Sequence, residues 1–125
     1  MTTKRLLLSL VAMLATATSW ADVAINETNF PDESFRNWIL AQDYGSDGVL
    51  TDAEIAGVTR IYVSYKSIKS LQGIEFFTAL TELYCYSNQL TSLDVSKNTA
   101  LKTLNCYDNQ LTALDVSKNT GLPFL

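Results

Sequence analysis

The chain of 125 residues contains no histidine. That removes the commonest general base and the commonest transition-metal ligand. It also lacks a Ser/His or Cys/His set and a phosphate-cradling glycine run, and it has no paired carboxylates outside one loop. Nothing in it is built for nucleophilic or acid–base catalysis, so no enzyme is expected. Basic residues are outnumbered, nine against thirteen acids. An acidic chain without a basic stripe argues against nucleic acid and anionic membrane as partners. Long apolar runs are scarce as well. The longest, residues 6–15, is well under the roughly 20 residues a membrane-spanning helix needs.

That run follows Lys4 and Arg5 and precedes the small residues Ser19 and Ala21. This is the layout of a secretory signal peptide over residues 1–21, cleaved after Ala21. The chain is therefore expected to be exported, secreted or at the cell surface, with the periplasm as the alternative and no membrane span after cleavage. No cysteine sits beside the cleavage point, which argues against lipid attachment there. Cleavage would leave seven basic and thirteen acidic residues, a net charge near −6.

What the chain does have is one 21-residue sentence written twice, LTELYCYSNQLTSLDVSKNTA from Leu80 and LKTLNCYDNQLTALDVSKNTG from Leu101, with 15 identical positions. Self-similarity at a fixed period of this size signals a solenoid of stacked coils. Leu80, Leu83, Cys85, Asn88, Leu90 and Leu93 recur as Leu101, Leu104, Cys106, Asn109, Leu111 and Leu114. Leu83 and Cys85 stand two apart, the period of a strand with one buried face. Asn88 falls where the backbone must leave that strand, and its amide can satisfy backbone groups there. Within one copy, Leu83-x-Cys85-x-x-Asn88 is echoed by Leu93-x-Val95-x-x-Asn98. The echo predicts a second extended wall closed by its own Asn turn, in strand-rich coils with little room for a helix. A fainter copy starts at Val58, where Val58, Ile61, Val63, Ile68 and Leu71 match at an offset of 22 and Lys66 replaces the Asn.

Upstream, Pro31, Asp32 and Glu33 carry helix-start chemistry. Phe35, Trp38 and Ile39 at i, i+3, i+4 predict a short amphipathic helix reaching about Gln42. Its apolar stripe is expected to cover the first coil. Residues 43–54 can be read as a twelve-residue calcium loop, with Asp43 first, Asp47 fifth, Gly48 sixth, the Val49 carbonyl seventh and Glu54 twelfth. Gly45 stands where the motif needs an oxygen side chain, so any calcium would be weakly held and no cofactor is required. Thr51 and Glu54 equally form a capping box, which needs no metal. Both uses of Glu54 remain open at this level.

The repeat resembles the leucine-rich repeat, L-x-x-L-x-L-x-x-N/C-x-L, with Cys in the third apolar slot. Over residues 25–125 the order of a calcium-loop-like helical segment followed by such repeats resembles bacterial internalin-like proteins. The expected fold is an α/β solenoid, a short leucine-rich repeat stack of about three strand-rich coils over residues 58–125. A small helix–loop–helix cap with an EF-hand-like loop precedes it over residues 22–57. The sequence ends on L-x-x-L, Leu122 and Leu125, which reads as a stack truncated at that end, with marginal stability and self-association through an uncapped coil.

Between the buried residues of each strand stand those that face outward. They form the files Tyr62–Tyr84–Asn105, Ser64–Tyr86–Tyr107 and Tyr65–Ser87–Asp108. Tyr62, Tyr84, Tyr86 and Tyr107 are the candidate partner-binding residues, because Tyr gives rigid amphipathic area at low entropic cost. Plain strand propensity would also place aromatics there. Cys85 and Cys106 share one slot of adjacent coils, about 4.8 Å apart along a sheet. Their side chains would run parallel, a poor start for a disulfide, so a buried thiol ladder is expected and a bridge is the alternative. The resemblance implies binding of protein or glycan on a host or neighbouring cell. The alternatives are a structural fragment with no ligand of its own, or a domain accessory to an enzyme.

Overall fold

The computed structural model describes residues 22–123. The leader assigned to residues 1–21 and the terminal Leu125 lie outside the described residues. Strand β1 (Val23–Ala24) is followed by helix α1 (Glu33–Leu40), a 3-10 turn (Asp43–Gly45), strand β2 (Val49–Leu50) and helix α2 (Asp52–Ala56). Strands β3 (Arg60–Tyr62), β4 (Glu82–Tyr84) and β5 (Thr103–Asn105) come next, with a second 3-10 turn (Ile74–Phe76) between β3 and β4. β1 and β2 pair antiparallel, while β3, β4 and β5 form one parallel sheet in that order. No helix among the described residues is long and apolar enough to cross a membrane.

The sheet has the vertical register that the repeat predicts. Ile61 lies opposite Leu83 and Leu83 opposite Leu104, so residues 22 and then 21 apart sit one above another. Ile61, Val63, Leu83 and Cys85 are fully buried, and Leu104 and Cys106 continue their columns half-buried.

The coils are not strand-rich. Each repeat contributes one three-residue strand, and residues 93–95, expected to form a second extended wall, pair with no strand. That wall is closed by turns. The Asn98 amide N–H donates to the Val95 carbonyl at 2.9 Å, and Asn119 does the same to Val116 at 3.0 Å. The turn carbonyls are then satisfied by side chains instead of a ladder. Asn98 Nδ2 donates to the carbonyls of Ile74 and Phe77, and Asn119 Nδ2 to those of Val95 and Asn98, all within 2.9 Å.

A parallel set of bonds closes the turn after each strand. Asn88 Oδ1 accepts from the amides of Lys66 and Ile68, and its Nδ2 donates to the carbonyls of Val63, Cys85 and Tyr86. The first repeat, which has Lys66 where its successors have Asn, thus borrows the amide of the second. Asn109 reaches back likewise, to the Cys85 carbonyl and the Leu90 amide.

Helix α1 begins at Glu33, within the stretch that carries helix-start chemistry, and Asp32 is its N-cap, with Oδ1 accepting from Phe35 N. The other carboxylate oxygen accepts from the amides of Lys69 and Ser70 in the first repeat, at 2.8 and 3.2 Å. The helix ends before Gln42. A Cβ at Gly45 would lie 2.2 Å from the Ile39 carbonyl oxygen, so the chain folds tightly back onto the helix end. Phe30, Phe35 and Ile39 share one buried cluster with Ile61, Leu71, Ile74, Phe77 and Leu80. Phe30 meets Phe35, Phe76 and Phe77 with ring centroids 5.7–6.4 Å apart. Gly73, at φ 109°, leaves the space that ring occupies, since a Cβ there would lie 2.2 Å from Phe30 Cδ1.

Asn88→Ala removes five hydrogen bonds from a buried turn and strands backbone groups of two repeats. At about 1–3 kcal/mol for each buried group left unpaired, a loss of at least about 2 kcal/mol is expected. Asn109→Ala, at a half-buried turn, should cost less. Urea unfolding of the two variants checks the order.

Candidate functional site: the tyrosine face

Because Ile61 and Leu83 point inward, their neighbours Tyr62 and Tyr84 stand on the outward side of the sheet, directly opposite each other in register. Their rings lie 5.4 Å apart. Tyr86 and Tyr107 stack face to face, with centroids 4.7 Å apart and planes 4° from parallel. Tyr62 meets Tyr86 edge-on at 5.9 Å, and their phenol groups share a hydrogen bond. The four tyrosines singled out in the sequence therefore form one continuous cluster.

A fifth member escaped that selection. Tyr65 is edge-on to Tyr86 at 5.4 Å and is 71% exposed. Its backbone is left-handed, φ 59°, as are its counterparts Ser87 and Asp108, both at φ 55°. A bulky residue is uncommon there, and the conformation swings its ring back over the face. The signal available in the sequence was its place in the file with Ser87 and Asp108. Tyr62 and Tyr107 are 43% and 60% exposed, whereas Tyr84 and Tyr86 are half-buried.

The rim is polar. Tyr84 donates its phenol hydrogen bond to Glu82 Oε1 at 3.0 Å, and Arg60 lies 5.4 Å over the Tyr84 ring. Ser87 donates to Asp108 at 2.8 Å. The Glu82 carboxylate holds the Tyr84 phenol above the usual range, the contact with Tyr62 does the same to Tyr86, and loss of solvent does so to Tyr107. All three stay protonated at neutral pH, so this part of the face is an uncharged array of rings and hydroxyls.

The thiols lie behind it. Cys85 is buried and Cys106 half-buried, and both are free. Burial, reinforced by Cys106, pushes the Cys85 thiol up to about 12, and burial raises Cys106 as well. A group raised on folding contributes stability that is full below its unfolded pKa, 9.0 here, and drains away as pH climbs toward about 12. At pH 8 an alkylating reagent should label Cys106 first and Cys85 only when the chain unfolds. Equal rates would contradict the burial order.

The loop residues are placed differently. Asp43 opens the 3-10 turn, and its carbonyl accepts from Ser46 Oγ at 3.1 Å. Asp47 Oδ1 accepts from Val49 N at 3.1 Å, and Val49 pairs with Ala24 in the small sheet. Glu54 turns back to accept from Thr51 N at 2.8 Å, while Thr51 Oγ1 accepts from Glu54 N at 3.2 Å, the reciprocal capping box. Among the described residues no three acidic or cysteine side chains gather as a metal-binding group. These contacts support the helix-cap use of Glu54. Glu54→Ala should lower the melting temperature equally with and without millimolar calcium. A calcium-induced rise that only the wild type shows would instead assign the carboxylate to the ion.

A groove of about 380 Å³ opens elsewhere between the first two repeats, lined by Leu71, Glu75, Leu93, Asp94 and Lys97 among others. It lies where the first repeat carries its extra residue, between Leu71 and Leu80. None of the tyrosines lines it.

Parallel strands stacked at a 21–22-residue period, with Asn-closed turns and an aromatic outward face, define a leucine-rich repeat protein. Comparison with known proteins narrows this. Internalin J of Listeria monocytogenes is 37% identical over 71 residues, which is 56% of this chain and 8% of that protein. The functional domain of InlJ from Listeria monocytogenes, described as including a cysteine ladder, superposes with TM-score 0.75 and 33% identity over 88% of this chain and 24% of that one. An internalin, InlF, from the same species gives TM-score 0.66 and 27% identity over 82% of this chain and 31% of its own. The chain is homologous to the Listeria internalins, which are leucine-rich repeat proteins. It spans only a small part of their length. No family model matches the sequence.

Proposed function

We propose that this chain is a secreted or surface-exposed, non-enzymatic binding module that engages a protein partner through its tyrosine face. The observation that carries the reading is the unbroken ring-to-ring cluster of Tyr62, Tyr84, Tyr86, Tyr107 and Tyr65 on one side of the sheet, three of them well exposed. Tyr is enriched in the hot spots of protein interfaces, where a rigid ring buries area and its hydroxyl finds a partner. The homology to internalins supports a protein partner, and attachment to a host or neighbouring cell is the finer form of the proposal. The acidic chain favours partners of neutral or basic surface.

Labelled full chain incubated with intact animal cells tests this, beside the same cells treated with protease or with glycosidase. Binding that protease abolishes, and that falls about tenfold or more when Tyr84, Tyr86 and Tyr107 are changed to Ser at unchanged circular dichroism, supports the reading. Glycosidase-sensitive binding would move the ligand to a glycan. Undiminished binding by the triple variant would remove the face from the function.

A second reading rests on the third repeat. Leu104, Cys106, Leu111, Val116 and Leu122 are only partly buried, where their counterparts Leu83, Cys85, Leu90, Val95 and Leu101 are buried completely. In that reading the surface packs against another repeat and the chain is a structural element. Concentration-dependent dimerisation that survives the triple change, with no cell binding, would favour it.

A further inference from the structure

We propose that Tyr86 and Tyr107 form an oxidative cross-linking site, at which a one-electron oxidant of the haem-peroxidase class joins the two phenol rings through a carbon–carbon bond. The two residues occupy the same slot of adjacent repeats, and their rings stack, 4.7 Å between centroids and 4° between planes. The stack therefore brings the two phenol rings into face-to-face contact. Tyr107 is 60% exposed, which gives the oxidant access and the ring room to close on its neighbour. Tyr62 and Tyr65 meet Tyr86 edge-on, at 84° and 87°, and neither stacks on it.

The chemistry balances. One hydrogen peroxide takes a hydrogen atom, as an electron and a proton, from each phenol by way of the peroxidase and leaves as two waters. The two phenoxyl radicals combine at their ortho carbons, and each ortho hydrogen then moves to its own phenol oxygen and restores the ring. The product is a dityrosine bridge lighter than the starting chain by two hydrogens. Such a bridge ties the second repeat to the third across the sheet, a tie the free thiols of Cys85 and Cys106 do not supply. The coupling needs no ligand and is independent of ligand binding.

The full chain, dilute, is treated with a haem peroxidase and hydrogen peroxide, and the monomer fraction is read by dityrosine fluorescence and by mass spectrometry of its peptides. The expected result is one internal bridge between the peptides holding Tyr86 and Tyr107, with a raised melting temperature. Tyr107→Phe and Tyr86→Phe should each abolish it, Tyr65→Phe should leave it, and urea should erase its selectivity. A bridge between Tyr62 and Tyr86, fluorescence confined to dimers, persistence in Tyr107→Phe or no coupling at all would each overturn the proposal.

Discussion

A side-chain amide reaching backward by one repeat is the contact on which this structure depends. Thin coils with three-residue strands leave most of their backbone in turns, and a buried turn must find partners for its N–H and C=O groups. Asn88 and Asn109 supply them on the strand side, each bonding both its own turn and the one before, while Asn98 and Asn119 on the opposite wall bond carbonyls of the preceding repeat. Polar satisfaction and stacking are thus one interaction. Leucine and cysteine columns fill the interior, but leucine alone is indifferent to register, whereas an amide 21 residues along is not.

The tyrosine face follows from that register. With Leu83 over Ile61 and Leu104 over Leu83, every outward residue falls into a file. Two copies of one sentence then place like rings one strand apart, as in the stack of Tyr86 on Tyr107. The left-handed residue after each strand turns the chain away and, in the first repeat alone, carries a large ring back onto the cluster. The phenols of Tyr84, Tyr86 and Tyr107 stay protonated, beside a rim that carries Arg60, Glu82 and Asp108.

The first repeat is joined to the segment before it by a different device. Asp32 caps α1 with one carboxylate oxygen and holds two amides of the first repeat with the other. Phe30 fills the gap that Gly73 leaves. The extra residue in the first repeat, which makes its offset 22 instead of 21, sits beside this junction, where aromatic packing and not repeat stacking sets the spacing.

Periodicity was the legible part. Spacing alone placed Ile61, Leu83 and Leu104 in one column, Cys85 beside Cys106 as unbridged thiols, Tyr62 opposite Tyr84, and Thr51 with Glu54 at a helix start, because each depends on local pattern or on a repeat that copies itself. The echo at Leu93 and Val95 was misleading: inward alternation resembles a strand whether or not a neighbour completes the ladder, and here Asn side chains took that role. The early end of α1 depended on how close Gly45 comes to Ile39, the rescue of the Lys66 turn on an amide 22 residues away, and the recruitment of Tyr65 on a backbone angle. None of these is written in the repeat pattern, and packing decided them.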